Sequence, residues 1–420
     1  MFVLQLVKIA MNAKLVRDYL RGASAVSVLI VLPMLQVFST RIAPAVLAVA
    51  GLICVGAVLL SKRPKTLVFS PKNLNRFDQA VFLFLSFSIL WAVISLLWGL
   101  DPARGFVRII SITVAIWTSW FLATQFKKLP IGRLQVVYLI GIASSIVALY
   151  AGLWYVREIN ALQELQHQRY DYNRIAVGLS LLVWPLVFLP RKNVFYTALY
   201  LLLFIAAVSG IFSSESETAK LGLLCGLAAA IFSSFHSILH KAVFLSTAAF
   251  ILIMPILIGS IEKTQSLILP KAFSEAGHTH HRLQIWKGAS DLAFEKVWVG
   301  WGMKSDRVLA VSGAMGEHTE RAGYSPENLG PHNLALELWV NVGLIGMLLI
   351  SAVVVLLGFK AYRAKRHLFA FVGIQMTASV MSLAGSGATG IQGWLLAILA
   401  IASATCIALG ASGPQHILEE

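Results

Sequence analysis

The chain has 420 residues, of which 58% are hydrophobic and 13% charged, with a mean hydropathy of +0.78, a formal net charge of +15 and a pI near 9.9. A soluble domain carries about 25% charged residues, so a soluble enzyme is excluded. Cys54, Cys225 and Cys406 are odd in number and lie within apolar runs, which excludes a disulfide framework.

Residues 1–22 carry Lys8, Lys14, Arg17 and Arg21 on an apolar background, which predicts a cytoplasmic interfacial helix and not a cleavable signal. Apolar runs then predict spans near 23–38, 43–60, 80–98, 108–126, 134–156, 175–190, 194–212, 219–235, 242–260, 334–358, 368–384 and 391–411, each suited to a hydrocarbon core of about 30 Å. The fold class expected is an all-α membrane protein of about twelve transmembrane helices with both termini on one side. Pro33, Pro185 and Pro255 lie in or near these spans, where kinks are tolerated.

Charge sets the orientation. The connections sharing the N-terminal side hold 19 Lys and Arg against 4 Asp and Glu, and the other side 15 against 15. By the positive-inside rule the first set is cytoplasmic. Topology then explains the whole net charge, and the case for a nucleic-acid partner, which a high pI raises, falls away.

The opposite side carries cations that orientation does not need: Arg41, Arg104, Arg108, Arg157, Arg169, Arg174, Lys220 and Arg282. An ionisable group at the membrane edge is costly unless it has a partner or lines a wet cavity, and an anionic ligand is one such partner. The plainer alternative for Arg41 or Arg157 is snorkelling to lipid phosphate. Arg174 has Asp171 within reach in sequence, and the Ser213 to Lys220 run also reads as an ordinary helix cap.

One long polar interruption, 261–332, divides the chain into a membrane domain 1–260, a loop 261–333 and a C-terminal membrane part 334–420. From Arg282 the loop spaces Ile285, Trp286, Ala289, Leu292, Ala293 and Val297 as a helical stripe. The expectation is a helix lying along the membrane surface with Trp286 inserted, and with Arg282 in its first turn, where free N–H groups and the dipole attract anions. Val299-Gly300-Trp301-Gly302 predicts a turn. His332 sits between Pro331 and Asn333, the expected N-cap of the next span, with Glu337 one turn further in. The positive end of a helix disfavours imidazolium, so His332 is the candidate general base. His278, His280, His281 and His318 lack a carboxylate or thiolate set at ligand spacing, so no metal is expected. Glu215 and Glu217 are the only other candidate for a divalent ion.

Arg282-x-x-x-Trp286, Val297-Trp298-Val299-Gly300-Trp301-Gly302 and Pro331-His332-Asn333 leading into Leu336 to Gly346 resemble the O-antigen ligase and polymerase superfamily of bacterial envelopes. The likeness is sharp from Ser213 to Gly346. It implies a fold related to GT-C type glycosyltransferases, a periplasmic catalytic loop, and a bacterial inner-membrane location. It also implies inverting transfer of O-antigen from an undecaprenyl diphosphate carrier, with lipid A-core as the ligase acceptor and with no cofactor, metal or ATP. His332 and Arg282 fall where the family has its catalytic His and Arg. Arg174 and Lys220 compete for a further diphosphate-binding position, with Arg104 and Arg108 also on the outer side. An O-antigen polymerase or a protein O-oligosaccharyltransferase shares this pattern, and a polyisoprenoid-saccharide transporter is the contrasting class.

Overall fold

A computed structural model describes residues 2–32, 42–59, 76–160, 169–189, 193–235, 237–268, 277–315, 330–331, 333–363, 368–384, 402 and 405. These residues form α1 (Phe2–Val26), extended by a wide turn over Ser27–Val31, then α2 (Ile42–Leu59), α3 (Arg76–Ile94), α4 (Pro102–Phe126), α5 (Ile131–Asn160), α6 (Arg169–Leu182), α7 (Val194–Ser213), α8 (Glu217–Phe235), α9 (Ser237–Ile268), α10 (Gly277–Glu295), α11 (Ser305–Val311), α12 (Leu334–Arg363) and α13 (Leu368–Ala384). No strand occurs among them.

Seven of these helices are long and apolar enough to cross a membrane: Asp78–Trp98, Pro102–Phe126, Ile131–Tyr155, Val194–Ser213, Glu217–Phe235, Lys241–Ser260 and Leu334–Phe359. Ala45–Leu59 and Asn173–Val187 are shorter apolar helices. The protein is therefore an all-α multi-pass membrane protein. The expected final span, 391–411, lies outside the described residues apart from two positions. The N-terminal expectation changes: no separate surface helix ends near residue 22, because α1 runs unbroken to Val26 and continues into the wide turn. Its apolar background leaves the backbone no cue to stop.

Two hydrophobic cores organise the chain. The first gathers Leu29, Leu47, Leu122, Tyr138, Leu179, Trp184, Leu223 and Met381, joining α1, α2, α4 to α6, α8 and α13. The second gathers Ile109, Met254, Ala289, Leu292, Met303, Leu309, Leu336, Trp339 and Met347, joining α4, α9, α10, α11 and α12. Local chemistry sets the element ends. Asp101 caps α4 by accepting from the Arg104 N–H at 3.1 Å, with Pro102 at the first helical position. Ser216 accepts from the Ala219 N–H at 3.3 Å and caps α8. Pro255 lies inside α9, and its carbonyl accepts the Ser290 hydroxyl of α10 at 2.8 Å, which ties the loop helix to the membrane helix.

Candidate active site

Helix α12 is two helices joined at Gly343, where φ is 60° and ψ is −169°. Such a break leaves carbonyls before it and N–H groups after it without helical partners, and residues 339–343 are buried within the protein. The turn after α10 supplies them. Trp301 N–H donates to Val340 O at 2.7 Å and Gly302 N–H to Asn341 O at 2.9 Å, while the Leu344 N–H reaches Val297 O at 2.7 Å and the Ile345 N–H reaches Trp298 O at 3.2 Å. The Trp91 indole of α3 donates to Val342 O at 2.9 Å. The predicted turn is thus a plug fitted into a broken helix.

Two further bonds clamp the plug to the end of α3. Trp98 Nε1 donates to Gly300 O at 3.2 Å, and Met303 N–H donates to Ser95 Oγ at 3.2 Å. Trp301 closes the turn with its indole on Leu292 O at 2.9 Å, and the Lys296 ammonium lies 3.9 Å from its ring centre.

Beside the plug lies a buried ionic cluster. Lys304, the one non-glycine residue with positive φ among those described (φ 69°), opens α11. Its Nζ stands 3.4 Å from Glu337 Oε1 and 3.8 Å from Asp306 Oδ2, with both carboxylates buried. Asn341 fixes Asp306 twice: its Nδ2 donates to Asp306 Oδ1 at 2.9 Å, and its Oδ1 accepts the Asp306 N–H at 3.3 Å. Arg108 of α4 is half-buried and lies within the field of Glu337 and Asp306. Gly105, one turn earlier on the same face, sits where an added Cβ would be 2.7 Å from Met303 O, so α4 docks directly beside Lys304.

Among the expected site residues whose side chains are described, only Arg108 lies within the field of this cluster. Arg104 turns outward, largely exposed, to Asp101 at 3.3 Å. Lys220 is held at 2.8 Å by Glu217 on the first turn of α8, and Glu215 is exposed. Arg174 is half-buried on α6, beside the first core. His332 lies outside the described residues, as does His318, and nothing is described of the side chains of Arg282, His278, His280 or His281. The neighbours of His332 are fixed: Pro331 and Asn333 are buried, and Asn333 caps α12 as expected, accepting from the Leu336 N–H at 3.2 Å.

Two expectations for the loop helix are corrected. Because α10 begins at Gly277, Arg282 lies past the first turn, where the backbone N–H groups are already committed to the helix. The stripe does not lie on lipid either: Ile285, Ala289, Leu292 and Ala293 are buried, the last three in the second core, against α9 and α12. Helical spacing marks an apolar face without saying what covers it. Sequence reasoning also missed Lys304, Asp306 and Asn341. The available signal was a Lys-Ser-Asp directly after a glycine-rich turn, ionisable residues in an otherwise apolar setting.

The fold and this site define a multi-pass helical membrane protein whose polar chemistry gathers where a connecting segment plugs a broken helix. Residues 201–351, which run from α7 through the break in α12, match the family model described as O-Antigen ligase. A Rickettsia bellii (strain RML369-C) protein described as "Putative polysaccharide ligase" is 22% identical over 272 residues, 63% of this chain and 64% of that protein. The match thus spans less than two thirds of that relative's length. No solved structure matches. The likeness to the O-antigen ligase superfamily thus lies in the segment that carries the plug and the broken helix.

Proposed function

We propose that the protein is an O-antigen ligase of the bacterial inner membrane, transferring glycan from undecaprenyl diphosphate to lipid A-core at the periplasmic face. The observation that carries this reading is the coincidence of the family match, residues 201–351, with Arg282, the plug, His332 and the break in α12. In the reaction an acceptor hydroxyl attacks the anomeric carbon. The new glycosidic C–O bond forms as the bond to the diphosphate oxygen breaks, and the configuration inverts. His332 takes the hydroxyl proton. Arg282, with Arg174 or Lys220, holds the charge that gathers on the departing diphosphate. The diphosphate is itself the activating group, so neither nucleotide nor metal is required.

A polymerase would use the same donor and differ only in its acceptor. A transporter is less favoured by the form of the break. In alternating-access proteins the ends of a broken helix face the substrate, whereas here Val340, Asn341, Val342, Leu344 and Ile345 all bond to protein.

The test is purified protein with carrier-linked oligosaccharide and lipid A-core, without nucleotide and with chelator, followed by the mobility of the acceptor on a gel. A shifted acceptor is expected. Product only on carrier-linked chains would make it a polymerase, and no transfer to any acceptor would overturn the reading.

A further inference from the structure

Far from the plug, where the end of α4 meets α1, cations gather in a way that membrane orientation alone does not explain. The Arg21 side chain is only 12% exposed: its Nε donates to Gln125 Oε1 of α4 at 3.3 Å, and its Nη1 meets Asp18 Oδ1 at 3.1 Å. Gln125 is buried, and its carbonyl accepts the Lys128 N–H at 3.0 Å, so Arg21 and Lys128 meet on one residue. Arg17 stands one turn before Arg21 on the same face of α1. It is half-buried, and its Nε is buried with no hydrogen-bond partner. Lys14 and Lys127 are exposed at the rim. Among the described residues, Asp18 is the one carboxylate paired with any of these five cations. Loss of hydration and the nearby Arg21 charge lower the Lys128 pKa from its ordinary value.

The apolar span of α4 ends at Phe126, and the Arg21–Gln125 bond brings α1 to the same membrane edge, so the cations lie at the level of lipid headgroups. A cation that serves orientation alone reaches outward on its flexible stem, whereas Arg17 and Arg21 are drawn into the protein. A buried guanidinium N–H without an acceptor is costly. Leu15 and Tyr19, one turn apart on α1, are exposed and border the cations with apolar surface. We propose that Arg17, Arg21 and Lys128 form a cradle for the phosphate of an anionic phospholipid, whose acyl chains lie against Leu15 and Tyr19. The positive-inside rule puts this cradle in the cytoplasmic leaflet. Asp18 orients Arg21 and, as a like charge to the phosphate, limits the affinity. The proposal goes beyond the transferase reading and does not depend on it.

The experiment is equilibrium titration of short-chain phosphatidylglycerol, phosphatidylcholine and inorganic phosphate into delipidated full-length protein in neutral detergent, with the melting temperature also read without lipid. Phosphatidylglycerol is expected to bind at least tenfold more tightly than either of the others. Arg17→Gln should weaken it about fivefold, the worth of one basic residue at a membrane surface, and Asp18→Asn should tighten it by a similar factor. Lys241→Gln, an exposed cation of α9 outside the cradle, should leave it within about twofold of wild type. Because Arg17 has no protein partner to lose, Arg17→Gln should melt at or above the wild-type temperature in the absence of lipid. A fall in that temperature would make Arg17 a structural residue and overturn the proposal. So would phosphatidylcholine or inorganic phosphate binding as tightly as phosphatidylglycerol, wild-type phosphatidylglycerol affinity in Arg17→Gln, or an equal loss in Lys241→Gln. Glycan transfer has no bearing on any of these outcomes, so this proposal and the transferase reading fail separately.

Discussion

Gly300 and Gly343 meet backbone to backbone at the centre of the site: a Cβ on Gly343 would lie 2.5 Å from the Gly300 nitrogen, and one on Gly300 would lie 2.7 Å from the Gly343 nitrogen. Both have positive φ, 67° and 60°. The contact lets the plug approach closely enough to satisfy the broken helix.

Gly343→Ala and Gly300→Ala should therefore each lower stability by about 3 kcal/mol, combining backbone strain with displacement of packed main chain. Thermal unfolding in detergent measures this. Gly22→Ala is the control, since nothing lies within 4 Å of its Cβ position in α1; it should be neutral or raise stability by about 0.5 to 1 kcal/mol. Equal behaviour of all three would contradict the plug.

Asn341 is the neutral anchor of Asp306. Asn341→Leu removes both bonds and leaves a buried carboxylate with fewer donors, at a cost of about 2 to 3 kcal/mol. Chemical denaturation of the variant should show the loss. A wild-type midpoint would mean that the Asp306 carboxylate is satisfied elsewhere.

Two upstream residues separate capping from ion pairing. Ser216→Ala should cost about 1 kcal/mol through the lost cap of α8. Lys220→Gln should change stability by no more than about 0.5 kcal/mol, because its partner Glu217 is 83% exposed. If Lys220→Gln abolishes transfer while the melting curve stays in place, Lys220 serves the diphosphate; unchanged turnover assigns that service to Arg174.

For the reaction itself, His332→Ala should lower the transfer rate by about 10² to 10⁴ with the protein still inserted. Near wild-type turnover would remove the base from the scheme. Arg282→Ala should lower kcat, because the charge it holds gathers as the bond breaks, and should also weaken donor engagement; unchanged donor binding and rate would contradict the diphosphate role.

Much of this was legible in the chain. Asn333 as a cap, the turn at Val299 to Gly302 and the membrane helices follow from local rules, because caps, turns and apolar runs are decided by residues a few positions apart. Arg282 was misplaced relative to its helix start because the weak starter Gly277 and the histidines after it carry no strong cap signal. The stripe of α10 was assigned to lipid because a membrane and a protein core present the same apolar demand.

The amino-acid order alone determined that this is a helical membrane protein with an asymmetric charge distribution and one polar segment bearing family-like residues, since hydropathy and charge act through composition and short-range spacing. Only the tertiary structure decided that α12 is broken at Gly343, that residues some 40 positions earlier repair it, and that Lys304 stands between two buried carboxylates. Those are long-range hydrogen bonds and charge pairings, and no local periodicity encodes which distant group will satisfy a carbonyl that water cannot reach.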